Sequence, residues 1–233
     1  MFSETIDNLQ FFFEINGKFA CIKKIGKVYG FDYEANPVKT IVIPQEVHYY
    51  NHTYIVNEIS GYTTQEKQYK EITNDRRRKD YGKRICIGEA TCWHSMIALP
   101  REVTDGGWHS VDVILPETIR EIGPYVYDYS LGFEFKLNNG LKIIRFGAFM
   151  SYHNREIEIP SSVKTIEEAA FIKCERLKLI IDNEPGLIKI DNNAIIDVCP
   201  FTRKVTPRSD FEIIYLRPKT SWFSRLIKKI KSK

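Results

Sequence analysis

Apolar residues recur through the middle of the chain at a constant spacing of 22 residues. Three segments, 114–130, 136–152 and 158–174, align with one another, and Leu115, Leu137 and Ile159 share one column. Four further columns hold in all three segments: Ile119/Leu141/Val163, Ile122/Ile144/Ile166, Val126/Ala148/Ala170 and Tyr127/Phe149/Phe171. A coil of this length cannot bury its apolar face alone. The pattern therefore predicts a solenoid, in which stacked units share one core and form short parallel strands.

The pattern continues more weakly on both sides of these segments. Residues 181–195 repeat part of it, and residues 41–60 and 85–103 each match in part. Pro44, Pro116 and Pro160 occupy one position of their units, where a residue without an N–H group ends a strand. The alternative is an ordinary α/β domain with chance similarity. Five columns at constant spacing favour the solenoid.

One unit carries a resemblance to a known family. The sequence IEIPSSVKTIEEAAFIKC at 157–174 is similar to the BspA-like leucine-rich repeat, and the resemblance extends over 111–195. It implies a β-rich α/β solenoid whose short parallel strands stack in a right-handed coil, without cofactor or catalytic residues. It also implies protein binding and adhesion at a bacterial or protozoan cell surface. The chain departs from the family because its N-terminus shows no export signal, which favours a cytoplasmic location.

The segments outside the repeats are predicted to cover the solenoid or to leave it. Residues 11–15 and 18–25 read as strands of a β-hairpin around a type I′ turn at Asn16-Gly17, so 1–40 is predicted to be an N-terminal β cap. The solenoid is assigned to 41–196, with an insertion at about 61–110. The charged run 64–84 reads as a solvated loop or, alternatively, as a patch that binds phosphate or acidic groups.

Residues 197–233 are predicted to form a C-terminal cap and a basic amphipathic tail. On a helix over 220–231, one face is apolar and the other basic. The apolar face contains Trp222, Phe223, Leu226, Ile227 and Ile230. Such a helix would cover the end of the solenoid, lie on an anionic membrane surface, or remain loosely attached and bind a partner. The end cap is the interpretation favoured here.

Charge is distributed unevenly along the chain. The net charge is +4, but residues 217–233 contain seven basic and no acidic residues, so the preceding residues sum to −3. A mildly acidic body gives no reason to expect a nucleic-acid partner. Five irregularly spaced cysteines do not form a disulfide pattern, and Cys174 is predicted to be a core thiol.

The sequence shows no pattern typical of catalysis. Cys86, Cys92 and His94 lack the second ligand pair of a structural zinc site. Phosphate-binding glycine motifs and nucleophile elbows are absent. The chain is therefore predicted not to be an enzyme and to need no cofactor or metal.

The function predicted from the sequence is a protein–protein interaction module. Tyrosine and tryptophan are common in binding surfaces. Tyr125 and Tyr129 flank the buried column at Tyr127 and should point elsewhere, so they are predicted binding residues together with Trp108. The alternative function is a peripheral membrane or envelope-associated protein tethered by residues 217–233.

Overall fold

The computed structural model describes residues 1–60, 62–63, 93–94, 111–123, 126, 133–149, 152, 154–171, 174, 176–198, 205–207 and 211–216. Of residues 62–63, 93–94, 196–198 and 205–207 it describes the backbone alone. The elements in this part of the chain are β1 (Phe2–Ile6), β2 (Leu9–Asn16), β3 (Phe19–Lys27), β4 (Thr40–Val42), β5 (Glu46–Tyr49), β6 (His52–Ile59), β7 (Tyr62–Thr63), β8 (Trp93–His94), β9 (Val111–Ile114), β10 (Glu121–Ile122), β11 (Phe133–Lys136), β12 (Ile143–Ile144), β13 (Glu156–Ile159), β14 (Thr165–Ile166), β15 (Lys178–Ile181), β16 (Lys189–Ile190), β17 (Ile196–Val198), β18 (Val205–Pro207) and β19 (Glu212–Tyr215).

A long sheet runs the length of the repeats and confirms one predicted column directly. Strands β6, β10, β12, β14 and β16 pair in parallel. Ile122 pairs with Ile144, and Ile144 pairs with Ile166. All three are fully buried. The ladder continues to Ile59 on one side and to Ile190 on the other. One apolar side chain per unit therefore builds a continuous core, as the repeat predicts.

Shorter parallel sheets form the facing side of the core. One has the order β11-β9-β4 and the other β13-β15-β19. Val113 pairs with Phe135, and Ile157 pairs with Leu179, both at the repeat spacing. The predicted column of Leu115, Leu137 and Ile159 lies at the ends of these strands. Leu115 and Ile159 are buried, while Leu137 is partly buried against the core.

The alanine–phenylalanine position of the repeat fills the core with stacked rings. Phe149 and Phe171 are fully buried, and their centroids lie 5.3 Å apart with an interplanar angle of 7°. Cys174 is also buried, and its thiol donates to the carbonyl of Phe149 at 3.1 Å. It is the core thiol that the sequence predicts. Tyr127, in the same column as the two phenylalanines, lies outside the described residues.

The long sheet is continuous across two long connections in the sequence. The β5–β6 hairpin separates Val47 from Ile59, whereas only two residues separate Ile119 from Ile122 in the next unit. Ile59 pairs directly with Ile122, so no strand from the residues between them separates β6 from β10. Of the segment 61–110, the structure describes only the antiparallel pair β7–β8.

The N-terminal residues form an antiparallel sheet that joins the solenoid edge to edge. β1, β2 and β3 pair antiparallel, and β3 then pairs in parallel with β6. The predicted position of the type I′ turn is wrong. Asn16 pairs with Phe19, so the β2–β3 loop is Gly17-Lys18, and of these only Gly17 has positive φ. Instead, Asp7 and Asn8 in the β1–β2 loop both have positive φ, as a type I′ turn requires.

At the C-terminal end, β19 adds a parallel strand to β15, with Leu179 opposite Ile213. The parallel sheet therefore continues into the segment assigned from sequence to the C-terminal cap. The predicted helix over 220–231 lies outside the described residues. Among the described residues no helix is long and apolar enough to cross a membrane.

Candidate protein-binding surface at the N-terminal end

The described residues do not include those singled out from sequence. Tyr125, Tyr129 and Trp108 lie outside them. The apolar residues of the predicted tail helix, Trp222, Phe223, Leu226, Ile227 and Ile230, lie outside them as well. The structure instead exposes a different group of aromatic residues at the end of the β5–β6 hairpin.

We define the aromatic tip as Phe2, Tyr49, Tyr50, His52 and Tyr54. Tyr49 pairs with His52, so Tyr50 and Asn51 form the two-residue loop of the hairpin. Tyr50 has φ +51° and is 84% exposed. A residue other than glycine with positive φ is uncommon, and for a bulky residue it is unfavourable. Here that conformation holds a large aromatic side chain in solvent.

Ring contacts anchor the aromatic tip to the core. Tyr49 stacks on Phe2 with centroids 4.3 Å apart, and Phe2 stacks on the fully buried Phe13 at 5.3 Å. Tyr50 meets Tyr49 edge to face at 4.5 Å. A hydrogen bond with the Tyr50 side chain raises the pKa of Tyr49. The exposed ring is thus the last member of a chain of contacts that begins in the core.

A second feature is the row of charged residues on the outer face of the long sheet. Arg145 donates from Nε to Glu121 at 2.9 Å and from Nη1 to Glu167 at 3.1 Å. The other carboxylate oxygen of Glu167 accepts from the N–H of Phe146 at 3.1 Å. These groups satisfy one another across three units. The row therefore links neighbouring strands, and its charges are already paired with one another.

The same row continues towards the N-terminal strands. Lys23 and Ser60 are buried, and Lys23 Nζ donates to Ser60 Oγ at 3.5 Å. Glu58 lies directly opposite Glu121 across β6 and β10. Burial, and then the nearby charge of Glu121, raise the pKa of Glu58 above its ordinary value of 4.5.

This raised pKa gives a testable dependence of stability on pH. An ionised Glu58 is less favourable in the folded chain than in the unfolded chain, so its contribution to stability is lost as pH rises through its folded pKa. Replacing Glu58 with glutamine removes that loss and relieves a like-charge pair, so we expect up to about 1 kcal/mol greater stability at pH 7.

Urea unfolding at pH 4.5 and pH 7 measures the effect. Glu46→Gln, which alters an exposed carboxylate on β5, is the matched control and should change little. Equal midpoint shifts for the two variants at pH 7 would show that the environment of Glu58 is not responsible.

Among the described residues, no group of three or more histidine, cysteine, aspartate or glutamate side chains is placed to hold a metal ion. The side chains of Cys86, Cys92 and His94 lie outside that part of the chain. The described geometry offers an exposed aromatic surface that packs against the core, and a charged surface whose groups pair with one another.

Solved structures similar to the chain are of bacterial proteins, two of them leucine-rich. One from Bacteroides ovatus is 18% identical with a TM-score of 0.41, and the match covers 77% of this chain and 42% of that one. A leucine rich cell surface protein from Faecalibacterium prausnitzii is 16% identical with a TM-score of 0.38, covering 84% and 55%. The pneumococcal vaccine antigen PcpA is 13% identical with a TM-score of 0.42, covering 94% and 50%. The chain thus spans about half the length of these proteins.

The sequence itself matches a family model. No curated protein matches the chain. The model of the BspA type leucine rich repeat region matches residues 109–217, with six copies. This range includes the three aligned units and extends through β19, the strand that continues the parallel sheet. By its repeats and by the parallel strands that they form, the part of the chain from residue 109 to residue 217 is a BspA-type leucine-rich repeat region.

Proposed function

We propose that this chain is a non-catalytic protein-binding module, and that the aromatic tip is part of its binding surface. The observation that carries the proposal is Tyr50, which is 84% exposed yet linked through Tyr49 and Phe2 to the core. Tyrosine supplies a large apolar face and a hydroxyl group, and it is enriched among residues that dominate binding energy. Leucine-rich repeat families serve in protein interaction and at cell surfaces, which supports the proposal.

The rigidity of the aromatic tip favours binding. Ordering a side chain at an interface costs about 0.5–1.5 kcal/mol, and a ring already held by its neighbours avoids part of that cost. The hairpin that carries Tyr50 pairs with β6, and β6 is a strand of the long sheet. A partner would therefore meet a surface that is already in place.

We extend the proposal to adhesion at a cell surface, on the basis of the family resemblance. Residues Tyr125, Tyr129 and Trp108 remain proposed members of the binding surface. Each would add an aromatic anchor to the one that the aromatic tip provides. The proposed partner is another protein.

A capture experiment with one matched control tests the proposal. The full chain is immobilised, incubated with labelled surface proteins of host cells, and compared with Tyr50→Asn and Tyr29→Asn. Asparagine tolerates positive φ, so Tyr50→Asn removes the ring and keeps the loop. Tyr29 is 99% exposed and lies outside the aromatic tip. We expect Tyr50→Asn to weaken retention of a captured protein about tenfold, the effect of a binding residue worth more than 1 kcal/mol.

Tyr29→Asn should retain the captured protein as strongly as the unaltered chain does. Equal retention by all three proteins would exclude the aromatic tip from the binding surface. Equal loss in both variants would point to nonspecific adsorption on exposed aromatic rings.

A further inference from the structure

The outer edge of β1 has the properties of a strand-binding site. β1 is the first strand of the long sheet and pairs on one side with β2. Among the residues that the structure describes, none pairs with its other edge. An uncovered edge presents N–H and C=O groups that a further strand can bind.

The β1–β2 register identifies the groups at this edge. Ile6 and Leu9 flank the two-residue turn and form the hydrogen-bonded pair next to it. Because such pairs alternate along antiparallel strands, the main-chain groups of Glu4 bond β2, and those of Ser3 and Thr5 point away from it. Ser3 and Thr5 therefore offer two N–H and two C=O groups to an incoming strand.

Glu4 determines which side chain of a bound strand the edge would prefer. It lies opposite Phe11, on the core-facing side of β1. Its neighbours on that face, Phe2 and Ile6, pack against the core. One carboxylate oxygen of Glu4 is completely buried, and it has no hydrogen-bond partner in the described part of the chain. A buried acceptor in apolar surroundings is unfavourable until a donor reaches it.

The charge of Glu4 argues against a second copy of the chain as the occupant. In an antiparallel β1–β1 pair that uses all five residues, Glu4 would lie directly opposite its own counterpart. Like charges in that position are destabilising. A lysine or arginine there would instead provide both the missing donor and the opposite charge.

We propose that the β1 edge binds an extended segment of a partner protein, with a lysine or arginine opposite Glu4 and apolar residues two positions away on either side. The apolar residues would lie beside Phe2 and Ile6, which share the face of Glu4. The main chain of the segment would bond Ser3 and Thr5. This site shares Phe2 with the aromatic tip but does not use Tyr50, and it goes beyond the proposed function.

The test uses a seven-residue peptide of alternating threonine and valine with lysine at its centre, and a second peptide with glutamate there. Binding is measured by fluorescence anisotropy, together with the NMR shifts of the Ser3 and Thr5 amides. We expect the lysine peptide to bind the full chain about tenfold more tightly than the glutamate peptide. Opposite Glu4, the lysine forms an opposite-charge pair, whereas the glutamate forms a like-charge pair. Glu4→Gln should remove this preference. Glu46→Gln, an exposed carboxylate on β5, should keep it.

Thr5→Pro tests the main-chain contact. Proline removes an N–H that faces away from β2, and edge strands tolerate this change. We expect Thr5→Pro to weaken the binding of both peptides about tenfold, while Tyr29→Asn, at an exposed tyrosine outside both sites, leaves it unchanged. Equal affinity of the two peptides for the unaltered chain would overturn the proposal, as would a lysine preference that survives Glu4→Gln. A dimer of the unaltered chain that sedimentation shows to dissociate on Thr5→Pro would assign the edge to a second copy. If Thr5→Pro does not fold, the Glu4→Gln comparison still decides.

Discussion

Phe149→Ala is expected to lower the free energy of unfolding by about 3–5 kcal/mol, as for other phenylalanines removed from a packed core. Phe149 is fully buried, and its ring contacts Phe135, Tyr152 and Phe171. Phe171 belongs to the next unit, so the cavity would lie between units and weaken the interface on which a solenoid depends.

Urea unfolding followed by circular dichroism gives the loss of stability, and hydrogen exchange locates it. Protection should fall in both units that share the cavity, in strands β12 and β14. Tyr29→Ala removes an aromatic ring that is 99% exposed, and a surface change of this kind should alter stability by less than about 0.5 kcal/mol. A loss confined to one unit would contradict the expected coupling between neighbours.

Asn138→Ala is expected to cost about 2–3 kcal/mol, because it leaves buried main-chain groups without partners. Asn138 is 5% exposed. Its Nδ2 donates to the carbonyls of Pro116 and Ile119 in the preceding unit, the second at 3.3 Å. Its Oδ1 accepts from the N–H of Gly140 at 2.7 Å. One side chain thus joins two successive turns of the solenoid.

Asn138→Asp separates the role of Asn138 as a donor to the preceding unit from its role as an acceptor for Gly140. Aspartate keeps the acceptor for Gly140 but loses both donors and adds a carboxylate beside two carbonyl oxygens, so we expect it to be at least as unstable as the alanine variant. Asn139→Ala, at the exposed neighbouring position, is the control for thermal or urea unfolding. If Asn138 and Asn139 variants unfold at the same midpoint, the bridge to the preceding unit contributes nothing.

The repeat could be predicted because its signal is periodic and depends on burial. Ile122, Ile144 and Ile166 recur at the spacing of one turn, and each must be apolar since each faces the same core. Phe149 and Phe171 obey the same rule on the other side. In such positions, the chemistry of the side chain alone indicates where it lies.

Asn138 shows why other contacts escaped prediction. It occupies the column of Pro116 and Pro160, where its side chain reads as an ordinary polar turn residue. Its side chain is buried because it bonds carbonyls of the preceding unit. Those carbonyls come close to Asn138 only when the two units stack. A contact made between units through the main chain leaves no periodic trace in the sequence.

The aromatic tip and β1 were missed for local reasons. Tyr49, Tyr50 and Tyr54 are visible as an aromatic group in the sequence, but the hairpin turn at Tyr50-Asn51 lacks the glycine that usually indicates such a turn. Without the turn, the direction of each ring cannot be assigned. β1 carries Glu4 on its core-facing side, which breaks the pattern of a buried strand.

The pairing of Ile59 with Ile122 has a consequence for how this protein can change over time. Ser60 and Val111, which flank the segment 61–110, belong to neighbouring turns of the solenoid. Doubling the length of a flexible connection costs only about 0.6 kcal/mol in closure entropy. We therefore expect a change in the length of the segment 61–110 to cost little in closure entropy. The connection between Ser60 and Val111 is therefore a suitable place to insert a foreign segment.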